Sequence, residues 1–247
     1  MANAIRRFLV KIQNGLVNHL VTLGNSSNNS HDGLVRLGTS YGGWWVPRKI
    51  MEETSRSRVS LSVGIGHDVS FDKELLKCGF EIIALDPLEE CVSFARKELE
   101  GHSRVYLENL GLSTYSGQER FFAPKSEAHD SWSSTNSQLT NHEKSVVFEV
   151  ISLSDLIAKY DSQIVDAWTI LKMDIEGAES KIIPSLCDLE YSFDYVAIEM
   201  DFLSLIPFLH FKTRLVRIVE ARKLLRKMNS RGYKLIMNEN FNYFWSF

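Results

Sequence analysis

The chain has 247 residues, 44% hydrophobic and 24% charged, which is the balance of an ordinary globular protein and a length suited to one α/β domain. A formal charge of -3 and a pI near 6.2 exclude a general nucleic-acid binder, which needs a positive surface to displace counterions from phosphate. Three widely spaced cysteines, Cys78, Cys91 and Cys187, show no C-x-x-C pattern, so they support neither a disulfide framework nor a zinc site; a reducing, cytoplasmic setting is the expectation.

The chain opens with Arg6 and Arg7 ahead of Phe8-Leu9-Val10, but Lys11, Gln13, Asn14 and Asn18 interrupt what would be the apolar run of a leader. Residues 3–23 therefore read as an amphipathic helix, and no stretch approaches the ~18 apolar residues of a membrane span. Gly24 to Gly33 is polar and turn-rich, a linker. The expected organisation is residues 1–33 as helix and linker, and 34–247 as the main domain.

From Val59 strands alternate with helices. Strands are expected at Val59–Val63, Glu81–Leu85, Arg104–Glu108, Ala167–Met173 and Tyr195–Glu199, with helices at Phe71–Cys78, Pro87–Glu100 and from the fourth strand to Cys187. Glu119–Ala123 and Val146–Ile151 read as two further strands, separated by the polar segment Pro124–Lys144, a loop of the length expected to be either functional or disordered. A short helix over Ser154–Tyr160, a long one over 212–230, and strands at Tyr233–Met237 and Tyr243–Phe247 complete the pattern. This order predicts an α/β fold, a Rossmann-like, doubly wound, mostly parallel sheet preceded by a helix. Ligands of such sheets bind beyond the carboxyl ends of the strands, where strand order reverses.

The first strand ends in Val63-Gly64-Ile65-Gly66-His67-Asp68, where two glycines allow a tight turn and close approach to a ligand. Asp68 or Ser70 can cap the next helix. Asp86 follows Gly64 by 22 positions, the spacing of a ribose-binding carboxylate, although Asp86-Pro87-Leu88-Glu89 also fits a capping box with Pro87 at the first helical position. The third glycine of a dinucleotide fingerprint is absent, because His67, Asp68 and Val69 follow Gly66. S-adenosylmethionine, an adenosine without a pyrophosphate, thus fits better than NAD. Two later strand ends are acidic: Asp174 and Glu176 after the fourth, Glu199 and Asp201 after the fifth. Period-two alternation puts Asp174 and Glu176 on one side if the strand continues. These carboxylates could supply a general base or bind a hard divalent cation such as Mg²⁺ or Mn²⁺; the blander reading gives Glu176 and Glu179 to helix capping.

Three segments together resemble the FkbM-like methyltransferase family: Val63-Gly64-Ile65-Gly66-His67-Asp68-Val69-Ser70-Phe71-Asp72, Ala84-Leu85-Asp86-Pro87, and Leu171-Lys172-Met173-Asp174-Ile175-Glu176-Gly177-Ala178-Glu179. Tyr41-Gly42-Gly43-Trp44-Trp45-Val46-Pro47 is similar to a segment of some members. The resemblance implies a class I methyltransferase fold and, most often, methyl transfer from S-adenosylmethionine to a hydroxyl of a small molecule or sugar. It further implies cofactor contacts from Gly64, Ile65, Gly66, Asp68, Asp86 and Pro87, and an adenine pocket lined by Leu110 and Gly111. Ser62 departs from the acidic residue that methyltransferases commonly carry before the first glycine. Asp174, Glu199 and His129, the last in the long polar loop, are the candidate bases. Trp44, Trp45 and Trp132 either shape an acceptor pocket or pack. The basic run from Lys212 to Lys227 reads as the solvated face of a surface helix. A catalytically silent cofactor-binding module and a nicotinamide oxidoreductase are the alternatives.

Overall fold

The computed structural model describes residues 2–23, 32–52, 54–124, 132–134, 140–204, 211–239 and 241–247. A seven-stranded sheet forms its centre. Its strands are β3 (Arg58–Val63), β4 (Glu81–Leu85), β5 (Val105–Glu108), β9 (Trp168–Met173), β10 (Tyr195–Glu199), β11 (Lys234–Glu239) and β12 (Asn242–Ser246), in the order β11-β12-β10-β9-β3-β4-β5. β12 runs antiparallel to both of its neighbours, and the rest of the sheet is parallel. Strand order reverses at β3, which lies between β4 and β9, so the crevice of the fold opens above the carboxyl ends of β3 and β9.

Alternation along each strand divides the core between the two faces. Val59, Leu61, Val63, Ile83, Leu85, Leu171 and Met173 pack in one cluster with α5 (Leu153–Lys159), α7 (Glu179–Asp188) and α9 (Phe211–Arg231). Ile82, Ala84 and Ile170 pack in the other with α3 (Ser70–Lys77) and α4 (Glu89–Glu98). Ser60 and Ser62 occupy the second face of β3, where the Ser62 hydroxyl donates to the buried Asp72 carboxylate of α3 at 2.5 Å. The carboxylate beside the first strand is therefore delivered by the following helix.

Helix α1 (Ala2–Thr22) matches the expected N-terminal helix and packs on the body: Val17 and Val21 are buried in the first cluster, and the Tyr243 hydroxyl donates to Asn18 Oδ1 at 2.8 Å. Several of the described elements have no counterpart in the sequence reading. β1 (Leu34–Leu37) and β2 (Trp44–Pro47) form an antiparallel hairpin, and the short α2 (Lys49–Glu52) follows it. Trp44 is buried in the second cluster, while Trp45 Nε1 and Arg36 Nη1 both donate to Glu239 at 3.1 and 2.8 Å, so both tryptophans hold the hairpin in place. A second sheet joins β6 (Gly111–Ser113), β8 (Thr140–Ser152) and β7 (Gly117–Pro124), with β8 extending well into the polar stretch expected to be loop. α6 (Asp161–Ile164) and α8 (Asp201–Ser204) are single turns. Among the described residues no helix is long and apolar enough to cross a membrane.

Candidate active site

The turn after β3 is locked from three sides. Gly64 has φ +80°, its N–H donates to Leu85 O at 3.0 Å, and a Cβ added there would lie 1.7 Å from the carbonyl oxygen of Asp174. No other residue fits so close a crossing of two backbones. Lys172 reaches across from β9 to donate to the Gly64 carbonyl oxygen, and its ammonium lies 3.9 Å from the Asp174 carboxylate. Gly66 has φ +58°, with open space where a side chain would stand.

Asp86 closes the third side. Its Oδ2 accepts from the Ile65 and Gly66 amides at 3.0 and 3.1 Å, and its Oδ1 from the Leu88 amide at 2.9 Å. Burial raises its pKa, and those amides with Lys172 oppose the shift. Each carboxylate oxygen accepts about two hydrogen bonds, so Oδ1 retains capacity for one further donor such as a ribose hydroxyl. The helix here begins later than the capping-box reading required. α4 starts at Glu89 with Leu88 as N-cap and no side-chain cap, so Pro87 stands outside it and Asp86 braces the turn. The Asn109 side chain donates to the carbonyls of Asp86 and Pro87 at 3.1 and 3.0 Å. Leu110 packs against the first core cluster, and Gly111 is small because Phe121, Val150 and Pro87 crowd its α-carbon.

Asp68 is engaged elsewhere. Oδ1 accepts from the Ser70 amide at 2.8 Å and Oδ2 from the Thr39 hydroxyl at 2.6 Å, which ties the Thr39–Gly43 loop to the start of α3. Despite the burial of its carboxylate, these hydrogen bonds lower its pKa. Val69, where a dinucleotide fingerprint would carry glycine, is buried. Thr39 was not singled out from sequence, and Lys172 appeared there only as a member of the Leu171–Glu179 segment with no role of its own, since each acts through a partner far away in the chain.

Above this turn lie the acidic strand ends. β9 stops at Met173, so Asp174 and Glu176 do not share a strand face; Glu176 instead adopts φ +55° in the turn before α7. One oxygen each from Asp174, Glu176 and Asp201 nevertheless lies within 4.8 Å of the others. His67, Glu90 and Cys91 form a second such group beside the glycine turn. Glu199 leaves β10 next to Asp174, because Ile198 pairs with Met173. Burial, then the Asp174 and Glu176 charges, push the Glu199 carboxyl up to about 7 against the pull of Lys172. Asp201 is raised by burial and by Asp174, Glu179, Glu199 and Glu176. Tyr41, 89% exposed as a residue, brings its hydroxyl to this mouth: local desolvation and then the charges of Asp174, Glu176, Glu199 and Asp201 raise its pKa. Ser133, beside Trp132 in the polar stretch between β7 and β8, donates to Glu176 O at 2.7 Å; sequence pointed to the stretch but not to this hydroxyl. His129 lies outside the described residues. Trp132 packs edge-on against Phe148.

Glu179 is fully buried beneath the mouth, and its Oε1 accepts from the Ile175 and Gly177 amides at 3.1 Å each, so it braces the turn that precedes α7 and is not a cap of that helix, which has no side-chain cap. Burial and the Asp174 charge push its carboxyl up to about 8, against the pull of those amides. A raised acid holds its proton more tightly in the folded chain, so its contribution to stability is complete below about pH 4.5 and falls as pH rises to about 8. Glu179→Gln keeps the acceptor and removes the titration. The variant is expected to lose part of the decline in stability between those pH values and to exceed the wild type at pH 9 by on the order of 1 kcal/mol, as chemical denaturation across pH would measure.

A cavity of about 180 Å³, lined by Lys49, Phe80, Trp168 and Tyr195, opens at the amino ends of the strands, away from this chemistry.

A search of curated proteins returned no match. Among solved structures, the METTL16 methyltransferase domain aligns over 81% of this chain and 64% of its own, less than two thirds of its length, at 13% identity and a TM-score of 0.42. The Methanococcus jannaschii fibrillarin pre-rRNA processing protein aligns over 92% of both chains, at 9% identity and a TM-score of 0.37. The family model of the methyltransferase FkbM domain matches residues 53–235, so the chain belongs to the FkbM methyltransferase family.

Proposed function

We propose that the chain is an S-adenosylmethionine-dependent O-methyltransferase acting on a hydroxyl of a small molecule or carbohydrate. Family membership supports a methyltransferase and, through it, this cofactor. The observation that carries the oxygen acceptor is Glu199, which leaves β10 beside Asp174 at the mouth, where burial and that neighbouring charge push its carboxyl up to about 7. A hydroxyl must give up its proton as it attacks, and a base with a pKa close to ambient pH does this best. S-adenosylmethionine, when bound, supplies an electrophilic methyl group on a sulfonium. In this reading Gly64 and Gly66 let the backbone approach it, and Asp86 Oδ1 accepts from the ribose. Glu199 takes the acceptor proton, Asp174 sets the affinity of Glu199 for it, and Lys172 keeps the carboxylate pair tolerable. A divalent cation held by Asp174, Glu176 and Asp201 is the alternative means of exposing the acceptor oxygen.

The test is transfer of labelled methyl from S-adenosylmethionine to panels of hydroxylated and amine-bearing acceptors, with and without chelator. Label in ether linkage, insensitive to chelator, is the expected result. Label confined to amines would overturn the acceptor class, and loss with chelator would replace the proton-transfer role of Glu199 with the cation.

A further inference from the structure

Helices α1 and α9 present an outer face that nothing in the methyltransferase reading uses. On α9, Lys212, Leu215, Val216, Val219, Lys223 and Arg226 fall within about 100° of the helix circumference at 3.6 residues per turn. Leu215, Val216 and Val219 are 47, 64 and 50% exposed, while Ala221, Leu224, Leu225 and Met228 fill the inward side. The stripe is thus aliphatic at its centre and cationic at both ends, where the sequence reading was an amphipathic helix with its basic run on the solvated face.

α1 has the same character. Val17 and Val21 point into the core, yet Ile12, Leu16, Leu20 and Leu23 are exposed at 55, 57, 37 and 49%, spaced as one helical stripe. The two stripes meet where Arg222, at the edge of the α9 face, donates to the carbonyls of Leu20 and Leu23 at 3.0 and 3.2 Å. Aliphatic stripes exposed on two adjoining helices mark a contact site.

We infer that this face docks onto an anionic lipid bilayer surface. Charge selects the occupant. The segment Phe211–Arg231 carries eight basic residues against the single acidic Glu220, and Ala2–Thr22 carries Arg6, Arg7 and Lys11 with no acidic residue, in a chain whose net charge is -3. Because these helices carry almost no acidic residues, net positive charge is concentrated on the two helices that carry the outward aliphatic stripes. Composition agrees, because the exposed apolar residues on both stripes are all Leu, Ile or Val, whereas protein interfaces favour Tyr, Trp, Phe and Met. Lys212, Lys223 and Arg226 can lay their stems along the stripe while their charges meet headgroups. The active-site mouth is formed by other elements, so the inference stands apart from the proposed reaction.

The experiment is sedimentation of the full chain with vesicles of phosphatidylcholine alone or mixed with phosphatidylserine, alongside light scattering on a sizing column. Binding to the anionic vesicles only, weakening as salt rises, is expected. Val216→Glu with Val219→Glu, and separately Lys223→Glu with Arg226→Glu, should each weaken it about tenfold or more while circular dichroism is unchanged. These positions are exposed, so the variants should fold. No binding to anionic vesicles, or binding that both double variants retain, would overturn the inference. So would a dimer that the valine variant dissolves without any vesicle binding, which would make the face a contact between two copies.

Discussion

Gly64→Ala is expected to cost about 3 kcal/mol or more of stability and to eliminate cofactor binding, because strain and collision act at one atom. The φ of +80° is unfavourable for any residue with a Cβ, and that Cβ would stand 1.7 Å from the Asp174 carbonyl oxygen. Relief would require β3 and β9 to separate where Asp174 N donates to Val63 O at 3.0 Å. Such a separation would also displace the Ile65 and Gly66 amides from Asp86. Gly66→Ala provides the contrast. Its added methyl meets only open space, so it should carry the positive-φ cost alone, about 1–2 kcal/mol. Denaturant midpoints of the two variants measure the difference. Equal losses would show that the close crossing at Gly64 is not what fixes the turn.

Glu199→Gln is expected to lower kcat by about 10²- to 10⁴-fold with little change in cofactor affinity. The wild-type rate should fall on the acid side with an apparent pKa of about 7, because protonated Glu199 cannot accept the acceptor's proton. The Asp174 charge is part of what raises that value, so Asp174→Asn should shift the acid limb to lower pH. A carboxylate that acted only to hold the fold would leave the position of the limb unchanged. A pH profile that ignores both variants would assign the base elsewhere.

The elements that position this chemistry were legible because their signals are local. Buried strands such as Arg58–Val63 and Glu81–Leu85 read as short apolar runs, and Gly79 and Gly101 marked the ends of the helices that separate them. The glycine turn, Asp86 and the acidic strand ends were visible for the same reason. What sequence did not disclose depends on partners distant in the chain. Thr39 matters only because Asp68 lies beside it, and Lys172 only because β9 runs next to β3. The β1–β2 hairpin is held by Glu239, some two hundred residues later. Helix α1 was read correctly as amphipathic, but periodicity could not foresee that it would present apolar residues on two sides. Asp86-Pro87-Leu88-Glu89 satisfied a capping pattern, yet the Asp86 carboxylate is drawn to the glycine-turn amides.

The central claim is that the β3 turn and Asp86 hold S-adenosylmethionine. Calorimetric titration of the wild type and Asp86→Ala with S-adenosylmethionine and S-adenosylhomocysteine, with NAD as competitor, tests it most directly. The account predicts saturable binding of both sulfur ligands, no displacement by NAD, and about ten- to hundredfold weaker binding by the variant. A folded wild type that binds neither sulfur ligand, or binds NAD in their place, would contradict it.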